Sequence, residues 1–351
     1  NGRTVHIETY CEDEPALRAR LKREGRSAAF TGKTPADFEA WKIATRTRLY
    51  DVLGLSLMDR VPIEIRELSR VRVAGGIVRT HAMLQVERDV WMPFYLLEPQ
   101  SPKLDACGRK CCYICPHGHQ GAGAASVAGV AGVPAGYGTV CPDARGWGYR
   151  RDWKGQGDDE NSFLRGTCLN QARMAEPLGL TVAGLNAWDN MRLIDYLEAR
   201  GDIAMDDLGC FGFSGGGYMT LYLAALDPRV CKTFVSVYLY GVDDSLLHLN
   251  GNCSCNYTPG LWRLLDMGDI ASLIAPRPLL VQSCEEDHLN GSRGLKNVDE
   301  QLEIVRDAYK LLGRRDGLRH EVCPGEHHLG VTHLAEDIEW LDSHVAECAR
   351  A

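Results

Sequence analysis

The chain has 351 residues, of which 45% are hydrophobic and 25% are charged, and its formal net charge is −8. These values predict a soluble globular protein with one sizeable core. No apolar run is long enough to cross a bilayer, and no stretch rich in lysine or arginine offers a surface to a phosphate backbone. We therefore expect neither a membrane nor a nucleic-acid partner.

The fourteen cysteines are scattered, and several lie inside apolar runs that resemble strands. Such cysteines act as small hydrophobic side chains, and so many of them would hinder oxidative folding. This pattern favours a reducing compartment, and hence the cytoplasm. Secretion is the alternative if the N-terminus is processed.

The sequence pattern predicts a helical extension over residues 1–60 and a main domain over residues 61–351. Thr34 and Pro35 have the pattern of a helix N-cap followed by a first-turn proline, and Gly54 ends the helix. Residues 62–98 alternate apolar and polar side chains, which predicts antiparallel strands.

Strands and helices are predicted to alternate after residue 110. This alternation implies a mostly parallel sheet flanked by helices, an α/β fold in which reactive residues gather at the carboxyl ends of the strands. The predicted strands are 111–115, 137–141, 208–213, 233–239, 278–283 and 321–323, and the predicted helices contain residues 184–197, 218–225, 298–312 and 334–345.

A serine flanked by glycines follows the strand predicted over residues 208–213. The segment Gly212-Phe213-Ser214-Gly215-Gly216 has the small-x-Ser-x-small pattern of a nucleophile on a sharp turn between a strand and a helix. Side chains two residues before and after such a serine would crowd the turn, so glycine is favoured there. Ser214 is therefore the candidate nucleophile.

A serine nucleophile needs a histidine base and a carboxylate that orients the histidine. Candidates for both follow later strands, in the order Ser, Asp, His. We favour Asp287 as the acid and His327 as the base, because each lies far enough beyond its strand to point back across the sheet. The alternatives are Glu285, Glu286, Asp243 and Asp244 for the acid and His328 for the base.

Backbone N–H groups that could stabilise an oxyanion are also predicted. One is that of Gly215, directly after the candidate nucleophile. The other would come from the glycine-rich loop after the strand over residues 111–115, from either His119 or Gln120.

Cysteine and histidine side chains at residues 111–119 raise the question of a metal site. Cys112-x-x-Cys115 and His117-x-His119 contain ligand residue types, and Cys111 precedes them. Successive strand cysteines face opposite sides of a sheet, however, and no second pair follows at the spacing of a zinc site. We expect no metal and no organic cofactor.

Taken together, these motifs resemble the α/β-hydrolase superfamily, and within it the branch of dienelactone-hydrolase-like and acetyl xylan esterase-like proteins. The resembling segments span roughly residues 90–345, and they include His117-Gly118-His119, Pro142-Asp143-Ala144-Arg145-Gly146 and Gly212-Phe213-Ser214-Gly215-Gly216. The resemblance implies an α/β-hydrolase fold and a serine esterase whose triad is Ser214, Asp287 and His327.

The expected reaction is hydrolysis of short-chain, acetyl-type esters of small molecules or carbohydrates through an acyl-enzyme. One alternative is a serine peptidase of the prolyl-oligopeptidase type, although the chain lacks the repeats that would form a propeller. Another is a catalytically silent binding protein with the hydrolase fold. A homo-oligomer is compatible with the sequence.

Overall fold

The computed structural model of the chain describes residues 12–119, 121–126, 129, 136–151, 165–248 and 251–348. Its described residues contribute nine strands to one mixed sheet, in the spatial order β1-β2-β3-β5-β4-β6-β7-β8-β9. In chain order the strands are β1 Ile65–Arg72, β2 Val78–Glu87, β3 Val90–Glu98, β4 Cys112–Ile114, β5 Gly138–Pro142, β6 Gly209–Phe213, β7 Lys232–Ser236, β8 Leu279–Cys284 and β9 Leu318–Cys323.

The sheet has an antiparallel part and a parallel part. Strands β1, β2, β3 and β5 pair antiparallel in that order. From β5 onward, through β4, β6, β7, β8 and β9, all pairs are parallel. The carboxyl ends of the six parallel strands therefore lie along one edge, where the loops that follow them can meet.

The helices are α1 Glu14–Glu24, α2 Pro35–Val52, α3 Cys168–Ala175, α4 Val182–Arg200, α5 Gly215–Leu226, α6 Leu261–Leu264, α7 Met267–Ser272, α8 Leu295–Leu311 and α9 Leu334–Cys348. None of the helices within the described ranges is long and apolar enough to cross a bilayer.

The inner parallel strands, β4 to β8, are buried on both faces, while the edge strand β9 is mostly half-exposed. Cys210, Val235 and Val281 belong to a large apolar cluster that includes residues of α2, α4, α5, α7 and α8. Their neighbours in the strands, Phe211, Phe234 and Leu280, face the other side and pack with Ile338 and Leu341 of α9. This alternation is the two-residue period of a strand, and it explains why these strands appear in the sequence as short continuous apolar runs.

The two N-terminal helices contact the body of the protein differently. Helix α2 begins at the predicted cap, where the Thr34 side chain accepts a hydrogen bond from the Asp37 N–H, and it buries Phe38 and Leu49. Helix α1 buries none of its residues. Arg26, just beyond the end of α1, forms a bidentate ion pair with Asp269 in α7 at 2.7 and 2.8 Å.

The loop after β5 is held by a buried cluster of charges. Arg145 donates two hydrogen bonds to the Asp189 carboxylate in α4, at 2.8 and 2.9 Å. Arg150 donates a third at 2.6 Å. Burial alone would raise the pKa of Asp189, but the two guanidinium groups outweigh it and hold this pKa below its ordinary value.

Replacing Asp189 by asparagine removes the carboxylate paired with the buried Arg150 and leaves the buried Arg145 with Glu87 alone. We expect Asp189→Asn to lower the free energy of unfolding at pH 7 by about 3–5 kcal/mol. Because the folded-state pKa is depressed, this contribution is present above the unfolded-state pKa of about 3.9 and is lost as the pH falls through the folded value. The difference between wild type and variant should therefore shrink in acid.

Urea unfolding at several pH values measures this difference. The matched control is Glu300→Gln, which removes an exposed carboxylate from its pairing with Arg293 and should cost less than about 1 kcal/mol. If the two variants lost equal stability, the buried cluster would not hold the loop.

Candidate active site

Ser214 lies on a sharp turn between β6 and α5, with φ 57° and ψ −118°. The glycines around it are sterically required. A Cβ on Gly212 would lie 2.1 Å from the Gly216 carbonyl oxygen, and a Cβ on Gly216 would lie 2.2 Å from the Pro116 carbonyl oxygen. The Ser214 N–H donates to the Ser236 carbonyl oxygen at 3.0 Å, which ties the turn to β7.

A chain of two hydrogen bonds links Ser214, His327 and Asp287. His327 Nε2 lies 2.8 Å from Ser214 Oγ, and His327 Nδ1 lies 2.7 Å from Asp287 Oδ2. The carboxylate can only accept, so Nδ1 carries the proton and Nε2 is left to accept from the serine hydroxyl. The Leu289 N–H donates to the other carboxylate oxygen at 2.9 Å and fixes the buried Asp287 side chain.

The alternative acids and base occupy other places. Glu285 and Glu286 are exposed, and Asp244 accepts hydrogen bonds from Ser292 and from the Arg293 N–H. The His328 Nδ1 lies 2.7 Å from the Glu326 carbonyl oxygen. The structure thus brings Ser214, His327 and Asp287 together, while the catalytic roles of these residues stay a prediction.

Of the predicted oxyanion donors, the structure describes Gly215 and His119. A Cβ on Gly215 would lie 2.9 Å from the His119 backbone nitrogen, so the backbone of His119 approaches the residue after Ser214. Gln120 lies outside the described residues. The structure therefore brings His119 and Gly215 together beside the serine hydroxyl.

His117 holds the loop that carries His119. Its ring is buried, with Nδ1–H donating to the Gly118 carbonyl oxygen at 2.8 Å and Nε2 accepting from the Ala144 N–H at 3.0 Å. Burial lowers the pKa of this histidine, which keeps the ring neutral and both hydrogen bonds in place. Both ring nitrogens are used, so His117 has no free lone pair for a metal.

The Ser214 hydroxyl opens onto a cavity of about 740 Å³. Aromatic and small polar side chains dominate its lining. None of the described lining residues is Asp, Glu, Lys or Arg. They are His119, Trp147, Gly166, Cys168, Leu169, Phe213, Ser214, Gly215, Tyr238, Gly251, Asn252, Cys253, Ser254, His288, Leu289 and His327.

Three cysteines gather around His119 at the wall of this cavity. The nearest atoms of His119, Cys168, Cys253 and Cys255 all lie within 4.8 Å of one another. Hydrogen bonding from Cys168, and then from Cys255, lowers the pKa of Cys253. The sequence pattern does not group these residues, because the cysteines near His119 in the chain are different ones. The sequence does show one part of this cluster, the closely spaced pair Cys253-x-Cys255.

Comparison with known proteins finds one similar curated sequence and several similar solved structures. No protein-family model matches the chain. The chain is 27% identical over 304 residues to "Putative hydrolase YtaP" of Bacillus subtilis (strain 168), an alignment that covers 79% of this chain and 95% of that protein.

Solved structures resemble the chain at lower sequence identity. A putative acetyl xylan esterase from Bacteroides fragilis NCTC 9343 has a TM-score of 0.73 and 17% identity, covering 90% of this chain and 83% of that one. A glucuronoyl esterase from Solibacter usitatus has a TM-score of 0.61 and 15% identity, covering 90% of this chain and 98% of that one. These structures share the fold described above.

Proposed function

The chain has the α/β-hydrolase fold, and on that premise we propose that it is a serine hydrolase of carboxylic esters. The observation that carries the proposal is the hydrogen-bonded chain from Ser214 through His327 to Asp287, at 2.8 and 2.7 Å. A serine hydroxyl in contact with an accepting imidazole nitrogen is the arrangement that activates the nucleophile.

The proposed reaction begins when His327 Nε2 takes the Ser214 proton as the hydroxyl oxygen attacks the ester carbonyl. Asp287 stabilises the imidazolium that forms. The carbonyl oxygen, now negative, accepts hydrogen bonds from the backbone N–H groups of Gly215 and His119. His327 then gives its proton to the departing alcohol, which leaves an acyl group on Ser214, and water activated by the same histidine releases the acid.

Two features of the cavity support ester substrates over peptides. The described lining carries no carboxylate, so the ammonium group of an aminoacyl substrate would find no counter-charge there. Trp147, Phe213 and Tyr238 offer aromatic faces beside the polar groups of Asn252 and Ser254. Such a mixed lining suits a neutral polar ester, for which an acetylated sugar is our first candidate.

The test compares an ester with an amide on the purified chain. We expect p-nitrophenyl acetate to be hydrolysed faster than p-nitrophenyl butyrate, and aminoacyl p-nitroanilides to be left intact. A fluorophosphonate should label one serine, because only an activated hydroxyl reacts quickly. Mass spectrometry of the peptides should locate the label on Ser214.

The control is Ser254, which lines the same cavity. In the same peptide map, the peptide that contains Ser254 should stay unlabelled. Protein unfolded in urea should take up no label at either position. Cleavage of the arylamide without the ester would favour the peptidase, and the absence of both hydrolysis and labelling would favour the silent binding protein.

A further inference from the structure

The cluster around His119 is assembled from three separate parts of the chain. His119 belongs to the loop after β4, Cys168 is the first residue of α3, and Cys253 and Cys255 flank one residue of a later turn. Their four donor atoms, one imidazole nitrogen and three sulfurs, lie within 4.8 Å of one another. The closest contact joins His119 Nε2 and Cys255 Sγ at 3.2 Å.

This donor set and its spacing match a tetrahedral zinc site. Three cysteine sulfurs and one histidine nitrogen are a common ligand set for structural zinc. With Zn–S bonds of about 2.3 Å, the sulfurs of a tetrahedral site lie about 3.8 Å apart. The observed upper limit of 4.8 Å is within about 1 Å of that value.

The groups around the sulfurs are hydrogen-bond donors. The Trp147 Nε1–H donates to Cys168 Sγ at 2.9 Å, and the Asn256 Nδ2–H donates to Cys255 Sγ at 3.6 Å. Donors of this kind around thiolate ligands orient them and partly neutralise their charge. Cys168 and Cys255 are also buried, and all three cysteines are free thiols.

The other cysteines among the described residues do not gather in this way. Within the described ranges, this is the one group of three or more His, Cys, Asp or Glu side chains whose donor atoms could surround a metal ion. No such group among the described residues contains Cys111, Cys112, Cys115 or His117, the ligand residue types that lie near His119 in the sequence. His117 already uses both of its ring nitrogens.

We propose that His119, Cys168, Cys253 and Cys255 bind one structural Zn²⁺ beside the active site. Four protein ligands leave no open position for water or substrate, so the ion would take no part in the chemistry itself. Its role follows from His119, whose side chain would be a ligand while its backbone nitrogen lies beside Gly215. The ion would thus tie the loop after β4 to α3 and to the turn at residues 253–255, next to the Ser214 hydroxyl.

The first measurement is the metal content of the full chain, purified without an affinity tag from zinc-supplemented medium. Elemental analysis after gel filtration should give about one zinc per chain. Exchange of the zinc for Co²⁺ should produce the intense visible bands and the sulfur-to-metal charge transfer of a tetrahedral thiolate site. Both readouts are independent of catalytic activity, so they stand whether or not the chain hydrolyses esters.

Variants then locate the ion. Cys168→Ser and Cys255→Ser should each reduce the zinc content at least tenfold. The control is Cys231→Ser, a half-buried cysteine outside the cluster whose thiol contacts the Met205 carbonyl oxygen, and it should retain one zinc. If the cluster variants fail to fold, the wild-type zinc content and the cobalt spectrum decide the question.

Several results would overturn the proposal. One is a wild-type protein that is folded and reduced, with three titratable thiols in the cluster, but holds less than a tenth of an equivalent of metal. Another is a disulfide between two of these cysteines, detected by mass spectrometry. Equal zinc content in the Cys231 and cluster variants would place the ion elsewhere.

Slow removal of zinc by a chelator should in addition lower kcat by about 10²-fold, as the loss of one oxyanion donor does.

Discussion

Replacing Ser214 by alanine is expected to lower kcat/KM for p-nitrophenyl acetate by about 10⁴–10⁶-fold. The substitution removes the oxygen that His327 contacts at 2.8 Å and leaves the cavity and the Gly215 N–H in place. The residual rate should come from water attacking the bound ester beside the oxyanion donors. KM should change little, since the hydroxyl contributes little to binding of the ground state.

The matched control is Ser343→Ala, an exposed serine on α9, which should keep full activity. Circular dichroism and urea unfolding should show that both variants fold. If Ser214→Ala retained more than about a tenth of the wild-type activity, a different group would be the nucleophile and the proposed mechanism would be wrong.

Replacing Asp287 by asparagine is expected to lower kcat by about 10³–10⁴-fold. The carboxylate accepts from His327 Nδ1 at 2.7 Å and so keeps the proton on that nitrogen. An asparagine N–H in its place would favour the other tautomer, in which Nε2 carries a proton and cannot accept one from Ser214. It would also remove the charge that stabilises the imidazolium.

Glu286→Gln is the control for this variant, because it removes a neighbouring carboxylate that is exposed. It should leave kcat within about twofold of wild type. The fluorophosphonate should label Asp287→Asn much more slowly than Glu286→Gln. Equal labelling rates in the two variants would show that Asp287 does not orient the base.

The sheet could be predicted from the sequence because its strands have simple patterns. The antiparallel β2 alternates buried and half-exposed residues, and the inner parallel strands are buried on both faces and so appear as apolar runs. The α/β fold expected from these elements, and the α/β-hydrolase fold that the resemblance implied, are confirmed. The strand predicted over residues 233–239 was too long, since β7 ends at Ser236 and Val237 has φ 49°.

Helix α1 lies in the predicted helical extension, but its bounds could not be predicted, since a helix without buried residues has no hydrophobic period. Helix α3 buries three residues and was still missed, because it is only eight residues long. Burial against a core and sufficient length are both needed before a helix shows a sequence pattern.

The residues of the site differ in how far the sequence could identify them. Ser214, Asp287 and His327 each follow a strand of the parallel sheet, so knowledge of strand ends was enough to group them. His119, Cys168 and Cys255 are distant in sequence, and α3 was not predicted. Only the packing of the loop after β4, helix α3 and the turn at residues 253–255 brings these side chains together, and no local pattern could have grouped them.

The turn at Ser214 also limits how stable this protein can become. A non-glycine residue with φ 57° and ψ −118° is held in a backbone conformation that costs roughly 1–3 kcal/mol. Glycine would relieve this strain but would remove the hydroxyl, so thermostabilising substitutions have to be found elsewhere. Part of the folding free energy is thus spent on holding the Ser214 hydroxyl at the cavity.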